Sequence, residues 1–248
     1  MNKSLVLITA ALAGVVVAGS ADAQTRRRAS GAGVSAKVSA QAAQASRAKV
    51  FLDGNELRKT IGRNAASLLS APAVPGASAI GRCNTRDRKW IVLESKFETN
   101  VQWFDRLTVT WHVLLDTSTM KEKEKDAAGN LVKMAQYSYF STTVTYMNIP
   151  KGSHATSVCL PPSYYERYGA PMAVGVVITN PEGEILAGDS ASEIRNLPSH
   201  TKWWEDAKIM DARNAAGDPL IERRQGLVDR SKTIWALVNP NDYEVVAQ

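Results

Sequence analysis

Lys89–Asp116, KWIVLESKFETNVQWFDRLTVTWHVLLD, decides how the chain is read. It holds two apolar runs rich in β-branched and aromatic residues, joined by polar residues around Trp103-Phe104. The spacing predicts two long neighbouring strands with a short turn at that pair. In the second run Leu107, Val109, Trp111, Val113 and Leu115 alternate with Thr108, Thr110, His112 and Leu114, so one face is wholly apolar and the other mixed. In the first, Ile91, Leu93, Ser95 and Phe97 share a face, while Trp90 and Val92 precede Glu94, Lys96 and Glu98 on the other. An apolar face of this length must be buried against a second layer.

Further short strands follow the same pattern. Ala135 to Asn148 mixes Tyr137, Tyr139, Phe140, Val144 and Tyr146 with serines and threonines, which suits a sheet with one wet face. His154 to Leu160 reads as a fourth strand. Pro161-Pro162-Ser163 opens a turn of helix through Tyr164, Tyr165 and Tyr168 that Gly169 closes. Met172 to Thr179 and Glu184 to Ala187 form a hairpin around Asn180-Pro181-Glu182-Gly183. From Ser199 the expectations are a helical turn over Thr201 to Asp206, a small hairpin pairing Leu220-Ile221 with Leu227-Val228, a strand over Ile234 to Val238 and an edge strand over Tyr243 to Val246. Short strands, turn signals and no long helix predict an all-β, immunoglobulin-like sandwich.

The 248 residues divide into three parts. Residues 1–23 read as a signal peptide: Lys3, an apolar run over Leu5 to Ala18, and a small-residue site at Ala21-Asp22-Ala23. The run is shorter than the roughly 20 residues that span a bilayer. Residues 24–82 read as a basic linker with a helical arm over Phe51 to Leu69, and residues 83–248 as the sandwich domain. The net charge of +6 does not describe a nucleic-acid surface, because Gln24 to Val50 alone holds six basic residues and no acidic one. With Lys3 and Asp22 cancelling, the chain from Phe51 onward is neutral. The tail is best read as a solvated tether.

Two cysteines, Cys83 and Cys159, form a candidate disulfide in an oxidising compartment, where closing so long a loop is worth about 4 kcal/mol; the alternative is two small buried hydrophobes. Two cysteines without a CxxC spacing and three scattered histidines make no metal site. His112 is expected to face solvent from the sheet, and His154 and His200 to lie in loops. Gly188-Asp189-Ser190 is followed by Ala191-Ser192 rather than glycines, and GxSxG is absent. SxxK occurs at Ser46–Lys49 and Ser118–Lys121 without companion motifs, and the GxGxxG-like run at Gly31–Ala36 follows no strand. No cofactor is implied. The aromatic candidates are Trp103 at the expected turn and Trp203-Trp204 in a polar loop, residues that either stack on sugars and anchor partners or plug the ends of the sandwich.

The signal peptide, the Ala/Ser/Arg tether, Trp90 to Trp111 with Trp103-Phe104-Asp105 at its turn, and Leu227-Val228-Asp229-Arg230-Ser231-Lys232-Thr233 together resemble small exported verrucomicrobial proteins encoded beside type IV pilus-like genes, as in Akkermansia. The resemblance spans most of Cys83 to Gln248. It implies an immunoglobulin-like sandwich and a place in envelope or pilus-associated assembly, and it carries over no functional residue. The expectation is therefore a non-enzymatic exported protein, with envelope or pilus-associated proteins as partners and no nucleic acid, residing in the periplasm, at the outer membrane or outside the cell. The rivals are a module binding mucin or peptidoglycan glycan and a small secreted hydrolase.

Overall fold

The structure, a computed structural model, describes residues 50–62, 65, 67–70, 89–119, 128–129, 134–237 and 244–245. The expected signal peptide, the basic stretch up to Lys49 and Cys83 lie outside the described residues. The protein is an all-β sandwich, as its strand patterning requires.

Its frame is two very long antiparallel strands, β3 (Lys89–Asp116) and β4 (Tyr137–Leu160), paired along nearly their whole length. The two strands expected within Lys89–Asp116 are thus one 28-residue strand, and those expected over Ala135–Asn148 and His154–Leu160 are likewise one. The polar residues around Trp103 make no hairpin turn. They form an irregularity in which four steps along β3, Thr99 to Trp103, oppose two along β4, Gly152 to Pro150. Gly152 at φ +144 and Asn148 at φ +57 take conformations that bend the partner strand at the same place.

The ribbon must fold back on itself there, and chain lengths show why. β7 (Ile221–Arg224) pairs in parallel with Tyr137–Phe140, and β8 (Val228–Asp229) pairs with Val158–Cys159. Phe140 and Cys159 would lie about 60 Å apart on a straight strand. Arg224 and Val228 are four residues apart, which spans at most about 14 Å. Only a folded ribbon lets both pairings exist. The contact between Trp111 Nε1 and Thr156 Oγ1, at 3.2 Å, joins the two halves through the core. The hairpin expected between Leu220-Ile221 and Leu227-Val228 does not form, because the two ends of folded β4 each take one of these strands.

β5 (Pro171–Thr179) pairs with the second half of β3, and β6 (Ile185–Ser192) with β5, as the expected hairpin. Its turn is held by Gly183 at φ +82 and by the Asn180 side chain accepting from the Glu184 amide at 2.7 Å. Between β4 and β5, α2 (Pro162–Tyr168) starts on the prolines and stops at Gly169, also as expected. The first half of β3 is flanked by β1 (Val50–Leu52) and β2 (Leu68–Ser70), with α1 (Gly54–Lys59) between them. The expected helical arm is therefore one short helix stitched between two strands. Asp53 caps it, accepting from the Asn55 amide, and Leu57 is fully buried.

Ile91, Leu93 and Phe97 from one half of the ribbon and Leu107, Val109, Trp111, Val113 and Leu115 from the other meet in a single core with Tyr146, Val158 and Val176. A smaller core covers the opposite face of β3, where Leu114 and Ala173 lie under Leu197, Trp203, Met210 and Ile221. The segment Thr201 to Asp206 is not helical; Asp206 instead caps α3 (Ala207–Met210). Ile234–Leu237 is a 3-10 turn rather than a strand, because the Thr233 carbonyl and hydroxyl capture the amides of Ala236 and Trp235. β9 (Glu244–Val245) returns along the edge of β4 as expected.

Candidate functional site

The bend puts Trp103 at a corner of the molecule. The residue is 51 % exposed among flanking positions that are exposed or half-buried, and Pro150 sits opposite it. A knot of hydrogen bonds holds the corner. Thr99 Oγ1 donates to the Pro150 carbonyl at 2.8 Å and accepts from the Gly152 amide at 3.1 Å, while His154 Nε2 lies 2.8 Å from the same carbonyl. His154 is not in a loop but in β4, 4 % exposed and against the ring of Phe97. On the side of β3 away from β4, pairing with β1 ends at Thr99 and pairing with β5 begins at Thr108. Among the described residues no strand lies along that edge between them. From Val101 to Leu107 β3 therefore has no described neighbour on that side, and a strand edge beside an exposed tryptophan is a template for another chain.

Trp203 and Trp204 are placed differently. Trp203 is 1 % exposed in the smaller core, and its Nε1 has no hydrogen-bond partner. Trp204 is half-buried and lies flat on His112, with ring centroids 4.3 Å apart and planes 6° from parallel. Gly175 provides its seat: a Cβ there would fall 2.0 Å from the indole. These rings are packed inward and offer no pair of coplanar exposed faces. The expectation that His112 faces solvent is overturned. The segment carrying the two tryptophans covers it, its Nδ1 lies 2.7 Å from the Tyr139 hydroxyl, and burial pushes its pKa down to about 4.

Asp189, Ser190 and His200 converge, with His200 Nδ1 2.7 Å from Asp189 Oδ1. They do not make a nucleophile. Ser190 is 1 % exposed, and its hydroxyl donates to the Thr201 carbonyl at 2.8 Å while accepting from the Thr201 amide at 3.1 Å. Its proton and one lone pair are spent on the Thr201 backbone, and His200 bonds Asp189 instead. Among the described residues no group of three or more His, Cys, Asp or Glu side chains is placed to hold a metal ion. Cys159 is a free, fully buried thiol whose pKa burial raises to about 11; Cys83, its expected partner, lies outside the described residues.

Sequence reading singled out Trp103, which is exposed, but not the residues around the bend. Thr99, Pro150, Gly152 and His154 meet only through the register of a bent ribbon, and no local pattern marks them.

The fold is a β-sandwich with an exposed tryptophan at the bend of its central ribbon. A family model typified by a pilus-associated protein of Akkermansia muciniphila matches residues 69–233, more than half of the chain, and the chain belongs to that family. A crystal structure of a protein from Akkermansia muciniphila shares the fold, at 17 % identity and a TM-score of 0.52 over 81 % of this chain and 94 % of that one. No curated protein matches the sequence. No helix among the described residues is long and apolar enough to cross a membrane.

Proposed function

We propose that the protein is a non-enzymatic, exported component of the cell envelope that binds protein partners of a pilus-like or secretion assembly. Family membership across residues 69–233 carries this reading. Residues 1–23 would direct export and the basic stretch after them would tether the sandwich. Contact is made at the Trp103 corner, where a partner segment can pair with the open edge of β3 while its side chains cover the indole. The knot of Thr99, Pro150 and His154 makes that surface rigid before binding, which limits the ordering cost.

The test is capture from native envelopes with tagged protein, comparing wild type with Trp103→Ala and identifying what is recovered by mass spectrometry. The expected result is recovery of pilus-like or secretion-assembly proteins by the wild type and their loss with the variant. Equal recovery by both would remove Trp103 from the account, and absence of any envelope protein would overturn the function.

A further inference from the structure

We infer that residues 202–219 form a hinged flap that opens as a unit while the rest of the sandwich stays folded, uncovering the outer face of β3 and β5. Among the described residues, every backbone hydrogen bond these residues make closes within 202–220, from the Glu205 amide on the Lys202 carbonyl at 3.0 Å to the Leu220 amide on the Ala212 carbonyl at 2.8 Å. The chain on either side is laced to the sandwich. Before the flap, Ser190 Oγ donates to the Thr201 carbonyl and accepts from its amide, and the His200 amide donates to the Ser190 carbonyl at 2.9 Å. After it, the Tyr137 amide donates to the Leu220 carbonyl at 2.9 Å and β7 begins. These two anchored ends are the hinges.

Side-chain burial in a core of its own holds the flap down. Trp203 and Met210 pack with Leu114, Ala173 and Ile221 in a cluster separate from the main core. That packing is imperfect, because Trp203 Nε1 is buried without a hydrogen-bond partner. Asp211 reaches Arg223 only at 3.9 Å with both side chains mostly in solvent, a contact that adds little. α3 is four residues long, too short to persist away from the sheet. A segment bonded mainly to itself and seated on a small separate core belongs to the low-stability end of a fold. Acid is the trigger the geometry supplies, since Trp204 of the flap lies flat on His112 of β3. The groups facing that imidazole are the Tyr139 hydroxyl from β4, bare Gly175 from β5 and the Trp204 indole; Arg223 acts on Tyr139, and burial alone sets the pKa of the ring. A ring titrating at about 4 when covered and about 6.5 when uncovered makes opening about thirtyfold easier at pH 4.5 than at pH 7.5, after allowance for the attraction of a covered, charged ring to the indole. Opening brings Trp203, Trp204 and the sheet face around Leu114 and Ala173 to solvent. The device does not depend on the Trp103 corner.

The test is native-state hydrogen exchange of the full chain in sub-denaturing urea at pH 7.5 and 4.5, corrected for the intrinsic pH dependence of exchange, in wild type and His112→Gln. The amides of Asp206, Met210, Asp211 and Ala212, all bonded within the flap, should share one opening equilibrium with a smaller urea dependence than the paired amides of β3 and β4. Their opening constant should rise about thirtyfold from pH 7.5 to 4.5 in wild type and stay nearly level in His112→Gln. Flap amides that follow those of β3 and β4 at every urea concentration would overturn the inference, because the flap would then open only with the whole fold. Flap amides that open one by one without urea dependence would overturn it as well, as simple fraying. An equal pH response in His112→Gln would overturn the acid trigger, and the urea comparison in wild type decides the flap whether or not that variant folds.

Discussion

Acidification should loosen the protein through His112. The ring is 9 % exposed, stacked on Trp204 and bonded to Tyr139, and burial holds its pKa at about 4 against about 6.5 in an unfolded chain. Between those values the unfolded state takes up a proton that the native state refuses, so stability is complete above pH 6.5 and falls as pH drops toward 4. A gap of some 2.5 units corresponds to about 3 kcal/mol. A protonated imidazole would recover about 1 kcal/mol by cation–π attraction to the indole beneath it, which leaves about 2 kcal/mol. Urea unfolding of wild type and His112→Gln at pH 7.5, 6.5, 5.5 and 4.5 measures it, since carboxylate titration is common to both proteins. The wild type should lose about 2 kcal/mol more than the variant across that range. Parallel pH dependence in the two would refute the reasoning, and with it the view that His112 is sealed by Trp204.

Gly175→Val removes the flat seat of Trp204 and should cost about 1–3 kcal/mol, with a red shift in tryptophan emission; an unshifted spectrum would contradict the packing. Thr156→Val strands the Trp111 indole N–H in the core and should cost about 1–3 kcal/mol in urea unfolding, whereas a loss near zero would mean the ribbon halves do not meet through Thr156. Cys159 should resist thiol reagents in the native protein at pH 8, and prompt labelling would show that the β4–β8 seam opens readily.

Local rules carried the sequence reading far because most elements obey them. The alternating row from Leu107 to Leu115 is buried on the side its period demands, and the prolines before Ser163 and the glycine at 169 bound α2 where cap chemistry puts them. What failed is what depends on distant partners. Trp103 sits among polar residues because the bend of the ribbon is wet on both faces, a pattern that a hairpin turn would also produce. His112 alternates as an outward residue, yet a segment some 90 positions later in the chain covers it. Ile221 and Val228 look like hairpin partners, but each pairs with an opposite end of folded β4.

Hydrogen exchange on the protein alone and on the protein with its captured envelope partner addresses the contact claim at residue level. Outward-pointing amides of β3 from Val101 to Leu107 should exchange rapidly in the free protein and become protected in the complex, together with a loss of Trp103 exposure. Protection appearing elsewhere on the sandwich while that edge continues to exchange as in the free protein would contradict the account.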